Sequence, residues 1–167
     1  KLAGLKACFM EDGVITAGSS SQISDGAAAV MLASEAAVKR YGLKPRAKVI
    51  SATVAGVDPT IMLTGPVPAS QQALAKAGLT VDQLDAVEIN EAFASVALGC
   101  GRALGLDFGK TNIYGGAIAN GHPLGASGAK LMTTLLNVLE RNGGRYGLQT
   151  MCIGFGQATA TIIDMDV

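Results

Sequence analysis

A glycine-rich turn carries the only histidine of the 167-residue chain. His122 lies within residues 115–128, GGAIANGHPLGASG, just ahead of an apolar-periodic stretch that predicts a helix. Glycines let other groups approach the backbone closely, and Pro123 stiffens the turn just past the imidazole. An imidazole has an ordinary pKa of about 6.5, so it moves protons readily near neutral pH. We interpret His122 as a catalytic group presented from a rigid loop; the alternative is a structural histidine in a tight turn.

An asparagine and a cysteine occupy comparable junctions elsewhere in the chain. Asn90 lies within residues 88–94, EINEAFA, after a short apolar run, and Cys152 lies within residues 151–157, MCIGFGQ, after another. Each of the three residues thus falls where a predicted strand gives way to a helix or a turn. Because such junctions gather at one edge of an open α/β sheet, the sequence predicts that Asn90, His122 and Cys152 form one site.

The three segments resemble the C-terminal signatures of the thiolases, the acyl-CoA C-acyltransferases. The likeness rests on NEAF from Asn90, GHPLGASG around His122 and CIGFG from Cys152, in family order and at family spacing. It extends over nearly the whole chain and includes VITAG at residues 14–18, SDGAAA at 24–29 and AGVDP at 55–59. A lone GHP would be a weak indication, whereas three ordered motifs are a strong one.

The resemblance implies an enzyme of lipid or fatty-acid metabolism that cleaves a 3-ketoacyl-CoA with CoA, or condenses two acyl-CoAs in reverse. Coenzyme A would be substrate and product, with no covalently bound cofactor. The acyl group would pass through a nucleophilic cysteine in an N-terminal half that this sequence does not contain. His122 would activate that cysteine, and Cys152 would be the acid or base at the α-carbon of the second acyl-CoA.

The same resemblance assigns the groups that hold the substrate. Asn90 would orient a water that forms an oxyanion hole with His122, although an N-cap of the following helix is an alternative role. The backbone N–H of Gly154 would form a second oxyanion hole. Three positions match residues that touch the pantetheine arm of coenzyme A, and they are Ala17, Ser21 and Phe93. Met62 matches a residue of the acyl pocket, although a core methionine is an equally good interpretation.

Four positions depart from the common thiolase pattern. Ser19 replaces an asparagine, Gln22 a glycine, and Phe155 and Ala158 replace glycines of the third signature. Phe155 adds bulk beside the loop of Gly154, so the preferred acyl chain length is open. The sequence also leaves open whether synthesis or cleavage dominates.

Composition excludes several other functions. The 13 basic and 13 acidic residues balance, with no basic stripe for nucleic acid. The longest apolar run, residues 27–33, is too short to span a bilayer. Three cysteines and one histidine fit no disulfide framework, zinc motif or other metal site. We therefore expect reduced thiols in an intracellular protein, cytoplasmic, or mitochondrial or peroxisomal in a eukaryote, with Cys8 and Cys100 as packing residues.

Alternating patterns predict an α/β fold, a mixed sheet flanked by helices. The predicted strands are residues 13–17, 27–34, 47–55, 84–89, 112–118, 146–153 and 158–165, the last two as an antiparallel hairpin. The predicted helices are residues 34–41, 69–77 after an opening Pro-Val-Pro, 91–104 and 126–141, with a short capped turn at 81–84.

By analogy with the family, residues 1–43 complete an N-terminal domain and residues 44–167 form the C-terminal domain. The whole enzyme would have αβαβα layers and would form a homodimer or homotetramer. The chain starts at Lys1 and contains no nucleophile motif, so we expect the isolated chain to be inactive. We expect it either to self-associate or to bind the N-terminal half and regain activity.

Two alternatives compete with this interpretation. A β-ketoacyl synthase shares the fold and a similar GHxxGA segment, but it places a second histidine where this chain has Asn90, as a sterol-carrier-type thiolase also does. A non-catalytic binding module would explain the absent nucleophile, but it leaves the three signatures unexplained. The sequence contains no GxGxxG motif with a downstream acidic residue, so nothing in it indicates a flavin or nicotinamide enzyme.

Overall fold

The computed structural model describes residues 1–167 and contains one four-stranded sheet. The strands are β1 (Lys48–Gly56), β2 (Ala86–Ile89), β3 (Tyr146–Ile153) and β4 (Gln157–Asp164). The helices are α1 (Glu35–Tyr41), α2 (Pro66–Ala77), α3 (Ala94–Leu104), α4 (Ala117–Asn120) and α5 (Ser127–Asn142). Short 3₁₀ turns span Leu2–Gly4, Ala17–Ser19, Pro59–Thr64, Val81–Gln83 and Gly154–Gly156.

The sheet has the strand order β1-β4-β3-β2 and is mixed, as the sequence predicts. β3 and β4 form an antiparallel hairpin from the pair Tyr146 and Asp164 to the pair Ile153 and Gln157. β1 joins β4 antiparallel, whereas β2 joins β3 parallel. The two strands of the hairpin are therefore the centre of the sheet, and β1 and β2 are its edges.

Helices cover both faces of the sheet, which confirms the α/β class. α2 and α3 pack on one face around Ile89, Leu148 and Ile162, and α5 packs Leu135 and Leu139 on the other. The division follows from the alternation of side chains along a strand. Ile162 and its neighbour Ile163, for instance, belong to opposite cores.

α5 covers β2 and β3 but leaves part of its own face of the sheet uncovered. Val49 pairs with Ile163 and Val54 with Thr159, so these residues share the face on which α5 lies. Val49 is 47% exposed and Val54 is 70% exposed. We call the residues Val49, Val54, Thr159 and Thr161 the open sheet face.

The predicted helix ends are confirmed where glycine supplies a left-handed residue. Gly42, Gly78, Gly105 and Gly143 follow α1, α2, α3 and α5, with φ of 60°, 67°, 71° and 65°. At the other end of α1, the Ser34 side chain accepts a hydrogen bond from the Ala37 N–H at 3.2 Å. A reciprocal cap at Thr80 also forms as predicted.

Two predicted strands near the N-terminus are wrong. Within residues 13–17 only Thr16 pairs, in a single bridge to Ala7, and residues 27–33 have no ladder partner at all. Residues 27–33 have no regular secondary structure and are exposed. Apolar composition favours a strand only where a sheet edge accepts its N–H and C=O groups, and no edge of this sheet runs beside them.

Two further predictions fail around the middle of the chain. Residues 112–118 form a turn and the start of α4, because Asn112 has φ of 49° and leaves the extended region directly after one bridge between Thr111 and Val87. α3 begins at Ala94, three residues later than predicted. The delay has a cause, because Glu91 and Ala92 hydrogen-bond to distant segments instead.

None of the helices combines the length and the apolar character needed to cross a membrane. No group of three or more histidine, cysteine, aspartate or glutamate side chains is placed to hold a metal ion.

Candidate active site

Asn90 directly follows β2 and is only 1% exposed. Its N–H donates to the Thr150 carbonyl at 3.1 Å, which fixes it beside β3. Its side-chain Oδ1 and Nδ2 have no protein partner. The alternative role as an N-cap is wrong, since α3 begins at Ala94 and Phe93 is the residue that precedes it. A buried amide without partners is costly, so this side chain is placed for a water or a ligand.

His122 lies between α4 and α5, rather than directly after a strand. Its backbone N–H donates to the Gln22 carbonyl at 2.8 Å, and its ring Nδ1 lies 2.6 Å from the Ser127 hydroxyl. That hydroxyl donates to the Pro123 carbonyl at 3.1 Å, which leaves its lone pairs for an Nδ1–H. The pattern assigns the proton to Nδ1, so Nε2 is the free base.

The surroundings keep the His122 imidazole neutral. Burial lowers the pKa of His122, and the positive charge of Lys130 lowers it further. Lys130 is itself fixed to the same loop, since its Nζ donates to the Gly121 carbonyl at 2.8 Å and the Asn120 carbonyl at 3.3 Å. A neutral imidazole can accept a proton at neutral pH, as a general base must.

Cys152 is the last residue but one of β3 and is 9% exposed. Burial raises the pKa of its thiol, so the group is protonated at neutral pH. Because β2 and β3 are parallel, Asn90 and Cys152 lie at the same edge of the sheet, the one formed by the carboxyl ends of these two strands. The Gln149 amide donates to the Gly128 carbonyl at 3.0 Å, which fixes the start of α5 to β3. The loop of His122 lies beside the segment that follows Asn90, because Ile23 bridges to His122 and Ser20 bridges to Phe93.

The other two cysteines differ in their surroundings. Cys100 is 3% exposed inside α3, as a packing residue should be. Burial raises its pKa to about 11, with a further contribution from the negative charge that Cys152 can carry. The prediction that Cys8 is a packing residue is wrong, because Cys8 is exposed in a turn where its N–H bonds to the Ile15 carbonyl at 2.8 Å.

A carboxylate clamp holds the Asn90 segment against the loop of His122. Glu91 accepts a hydrogen bond from the Asn112 amide at 2.9 Å and one from the Ile118 N–H at 3.2 Å. Asn112 in turn bonds through its side chain to the N–H and C=O of Ile89. A side chain at Gly116 would collide with the Glu91 carboxylate and displace it from these contacts. The sequence indicated neither the partners of Glu91 nor the contact between Ser127 and His122.

Two of the residues expected to touch pantetheine, Ala17 and Ser21, lie on one segment, and this segment pairs with that of the third, Phe93. Ser21 donates its N–H to the Ala92 carbonyl at 3.0 Å, and Ser20 forms a bridge with Phe93. The next bridge joins Ile23 to His122. Ser21 and Phe93 are therefore adjacent and half-buried, and Ala17 is exposed at the start of the same segment.

Met62 and Gly154 lie in two turns close to Cys152. The 3₁₀ turn that contains half-buried Met62 packs on the turn Gly154–Gly156. Gly154 is exposed, with free space where a side chain would project. Phe155 has φ of 65° and is 86% exposed, so the aromatic ring faces solvent. The structure thus brings Asn90, His122 and Cys152 to one edge, with the other predicted residues around it.

Removal of the Glu91 carboxylate should destabilise this edge. Glu91→Ala leaves the Asn112 amide and the Ile118 N–H without their acceptors, so we expect the free energy of unfolding to fall by about 2–3 kcal/mol. Urea denaturation of the wild type and of the variant measures the two free energies of unfolding. The matched control is Glu11→Ala, an exposed glutamate, which should change stability by less than about 0.5 kcal/mol. Equal stabilities for the two variants would contradict the clamp.

The chain is similar to known proteins over nearly its whole length. Residues 43–165 match the family model described as "Thiolase, C-terminal domain", and residues 1–36 match that described as "Thiolase, N-terminal domain". Among curated relatives, the chain is 57% identical over 164 residues to a steroid 3-ketoacyl-CoA thiolase of Mycobacterium tuberculosis. It is 55% identical over 165 residues to a β-ketoadipyl-CoA thiolase of Acinetobacter baylyi.

The alignments cover 98% of this chain but only 40% and 41% of those two relatives. The fold is similar to that of human mitochondrial 3-ketoacyl-CoA thiolase, with a TM-score of 0.92 and 44% identity over 99% of this chain and 42% of that one. It is also similar to a Bacillus anthracis acetyl-CoA acetyltransferase, with a TM-score of 0.95 and 42% identity over 98% and 41% of the two chains. The chain therefore belongs to the thiolase family.

Proposed function

We propose that the protein carrying this chain is an acyl-CoA C-acyltransferase. It cleaves a 3-ketoacyl-CoA with CoA, or condenses two acyl-CoAs in the reverse direction. The observation that carries this proposal is the placement of Asn90, His122 and Cys152 at one edge of the sheet in a member of the thiolase family. A nucleophilic cysteine from the part of the enzyme outside this chain completes the site.

The states of the two titrating groups fit cleavage. His122, neutral with a free Nε2, takes the proton of the nucleophilic thiol, and the thiolate attacks the ketone carbon of the substrate. The bond between the α- and β-carbons breaks, and the acetyl-CoA enolate leaves. Cys152, whose thiol is protonated because burial raises its pKa, gives its proton to the α-carbon. The His122 imidazolium then returns its proton to Cys152, and the neutral imidazole takes the proton of an incoming CoA thiol. The CoA thiolate takes the acyl group, and the released thiolate of the nucleophilic cysteine receives that proton from His122.

Two negative oxygens form on this route, and each has a donor. The enolate oxygen accepts from protonated Nε2 of His122 and from a water held by Asn90, whose buried amide lacks a protein partner. The oxygen of the acyl-transfer intermediate accepts from the Gly154 N–H. Preorganised donors of this kind contribute about 3 kcal/mol each to transition-state stabilisation.

We assign the surrounding residues to coenzyme A, which is a substrate and not a covalently bound cofactor. Ala17, Ser21 and Phe93 contact the pantetheine arm, and Met62 lines the acyl pocket. Support comes from the pairing of the Ser21 segment with Ala92 and Phe93, and from the packing of the Met62 turn on the turn that follows Cys152. A human mitochondrial 3-ketoacyl-CoA thiolase crystallised in complex with CoA has a TM-score of 0.91 to this chain.

The organisation of the whole protein is also a proposal. Residues 1–43 end an N-terminal domain and residues 44–167 form the C-terminal one, since no strand of the sheet precedes Lys48. The N-terminal half packs against this chain, and the complete enzyme is a homodimer or homotetramer in the cytoplasm or another intracellular compartment. The open sheet face and the exposed residues 27–33 support that packing.

The isolated 167-residue chain should not catalyse thiolysis of acetoacetyl-CoA, whereas the full-length protein should. Cys100 cannot supply a thiolate near neutral pH, because its pKa is about 11. Cys8 lies in an exposed turn. Spectrophotometric assays of the chain alone, of the chain mixed with the N-terminal half, and of the full-length protein test this. Turnover by the chain alone would place the nucleophile in this sequence, and an inactive full-length protein would overturn the proposed function.

A further inference from the structure

Glu88 in β2 and Asn90, the residue that directly follows this strand, are polar, buried and incompletely paired. Glu88 is 1% exposed and its Oε2 has no partner, and the same is true of both side-chain polar atoms of Asn90. Val87 and Ile89, which alternate with them, belong to the core under α2 and α3. Glu88 and Asn90 therefore face the opposite side, toward α5.

The spacing of the two side chains suits a single bridging water. Residues two apart on a strand are separated by about 6.6 Å. A water that bonds to both groups spans about 5.6 Å between them. Buried polar atoms that find no protein partner are commonly satisfied by ordered water, and three such atoms lie together here.

We propose that Glu88 is a positioning residue whose side chain, with that of Asn90, holds one ordered water between β2 and the start of α5. The water fixes the orientation of the Asn90 amide, so that Nδ2 is directed at the site that Asn90 shares with His122 and Cys152. Glu88 itself touches no substrate. The consequence for catalysis rests on the proposed function, whereas the water and its two ligands do not.

Burial, more than the surrounding charges, keeps the Glu88 carboxyl neutral. Burial raises the pKa of Glu88 to about 8, and the negative charge of Glu91 adds to this, while Lys130 on α5 acts in the opposite direction. Lys130 and Glu91 are both engaged elsewhere by hydrogen bonds, and Gln149, opposite Glu88 on β3, is uncharged. A neutral carboxyl offers one donor and one acceptor, so it can donate to the water while the water donates to Asn90 Oδ1.

Two substitutions separate positioning from simple packing. Glu88→Leu removes the water ligand but packs a similar volume, so the native protein should keep or gain thermal stability. Its kcat for acetoacetyl-CoA thiolysis should nevertheless fall by about tenfold, with KM within about twofold. Glu88→Gln keeps a neutral donor and acceptor and should retain kcat within about threefold.

Coupling to Asn90 provides the second measurement. Asn90→Ala lowers kcat, and Glu88→Leu added to it should lower kcat no further, because the water acts through Asn90. A Glu88→Leu enzyme with wild-type kcat, or losses that multiply in the double variant, would overturn the positioning role. Loss of kcat and stability together in both Glu88 variants would show a structural role instead.

Readouts without turnover distinguish this inference from the proposed function. A high-resolution crystal structure should show the water between Glu88 and Asn90, and its absence there refutes the inference even if the enzyme is active. The folded pKa of Glu88 is raised, so stability is present below the ordinary pKa of 4.5 and lost as pH rises through about 8. Wild type should lose stability relative to Glu88→Gln over that range, and identical pH profiles would contradict a buried neutral Glu88.

Discussion

His122→Ala is expected to reduce kcat for thiolysis and for condensation by about 10³-fold or more. The substitution removes both the base that activates the nucleophile and one donor to the enolate oxygen. The chain contains no second histidine to replace it. Steady-state assays of the full-length enzyme with acetoacetyl-CoA and CoA, and with acetyl-CoA alone, measure the two directions.

The matched control for this variant leaves the imidazole in place. Ser127→Ala removes the hydroxyl that lies 2.6 Å from Nδ1, so the ring loses its fixed tautomer but keeps its chemistry. We expect kcat to fall by about tenfold. A loss of less than about tenfold in His122→Ala itself would refute the assignment of His122 as the base.

Cys152→Ser should produce a more selective failure, in which the nucleophile is acylated but no product forms. A serine hydroxyl is a much weaker acid than a thiol, so it exchanges protons with the α-carbon poorly. Nucleophile acylation does not use this group. We expect radiolabelled acetyl-CoA to leave a stable labelled acyl-enzyme, while kcat falls by about 10²- to 10⁴-fold.

Cys8→Ser controls for the loss of a thiol, since Cys8 is exposed and outside the proposed machinery. It should label and turn over like the wild type. If Cys152→Ser cannot be acylated and remains folded, Cys152 takes part in the first half-reaction or only supports the loop of Gly154.

The sequence predicted those features that depend on local pattern. The period of apolar residues located α5, the glycine after each helix located its end, and the alternation in residues 146–165 located the central hairpin. Local chemistry sufficed because each of these elements is determined by residues close together in the chain. The three signatures indicated Asn90, His122 and Cys152 through a family resemblance, and the catalytic roles of these residues stay a prediction.

Features that depend on distant contacts could not be predicted. Glu91 bonds to Asn112 and Ile118, which are 21 and 27 residues away, and these contacts delay the start of α3. No periodicity indicates such pairs. Residues 27–34 show the converse case, in which an apolar run has strand character but no neighbouring edge to pair with. The start of α3 and the absence of a strand at residues 27–34 therefore both depend on contacts with distant parts of the chain.

The strand order has a consequence for the route by which the chain folds. β1 pairs only with β4, and the contacting residues Thr53 and Ala160 are 107 positions apart. β2 forms its only ladder with β3, so neither edge strand can join the sheet before residues 146–164 leave the ribosome. During synthesis the apolar sides of α2 and α3 therefore stay uncovered until late, a situation in which aggregation competes with slow, non-local pairing. Chaperone demand for this chain should accordingly depend on how quickly its last hairpin is translated.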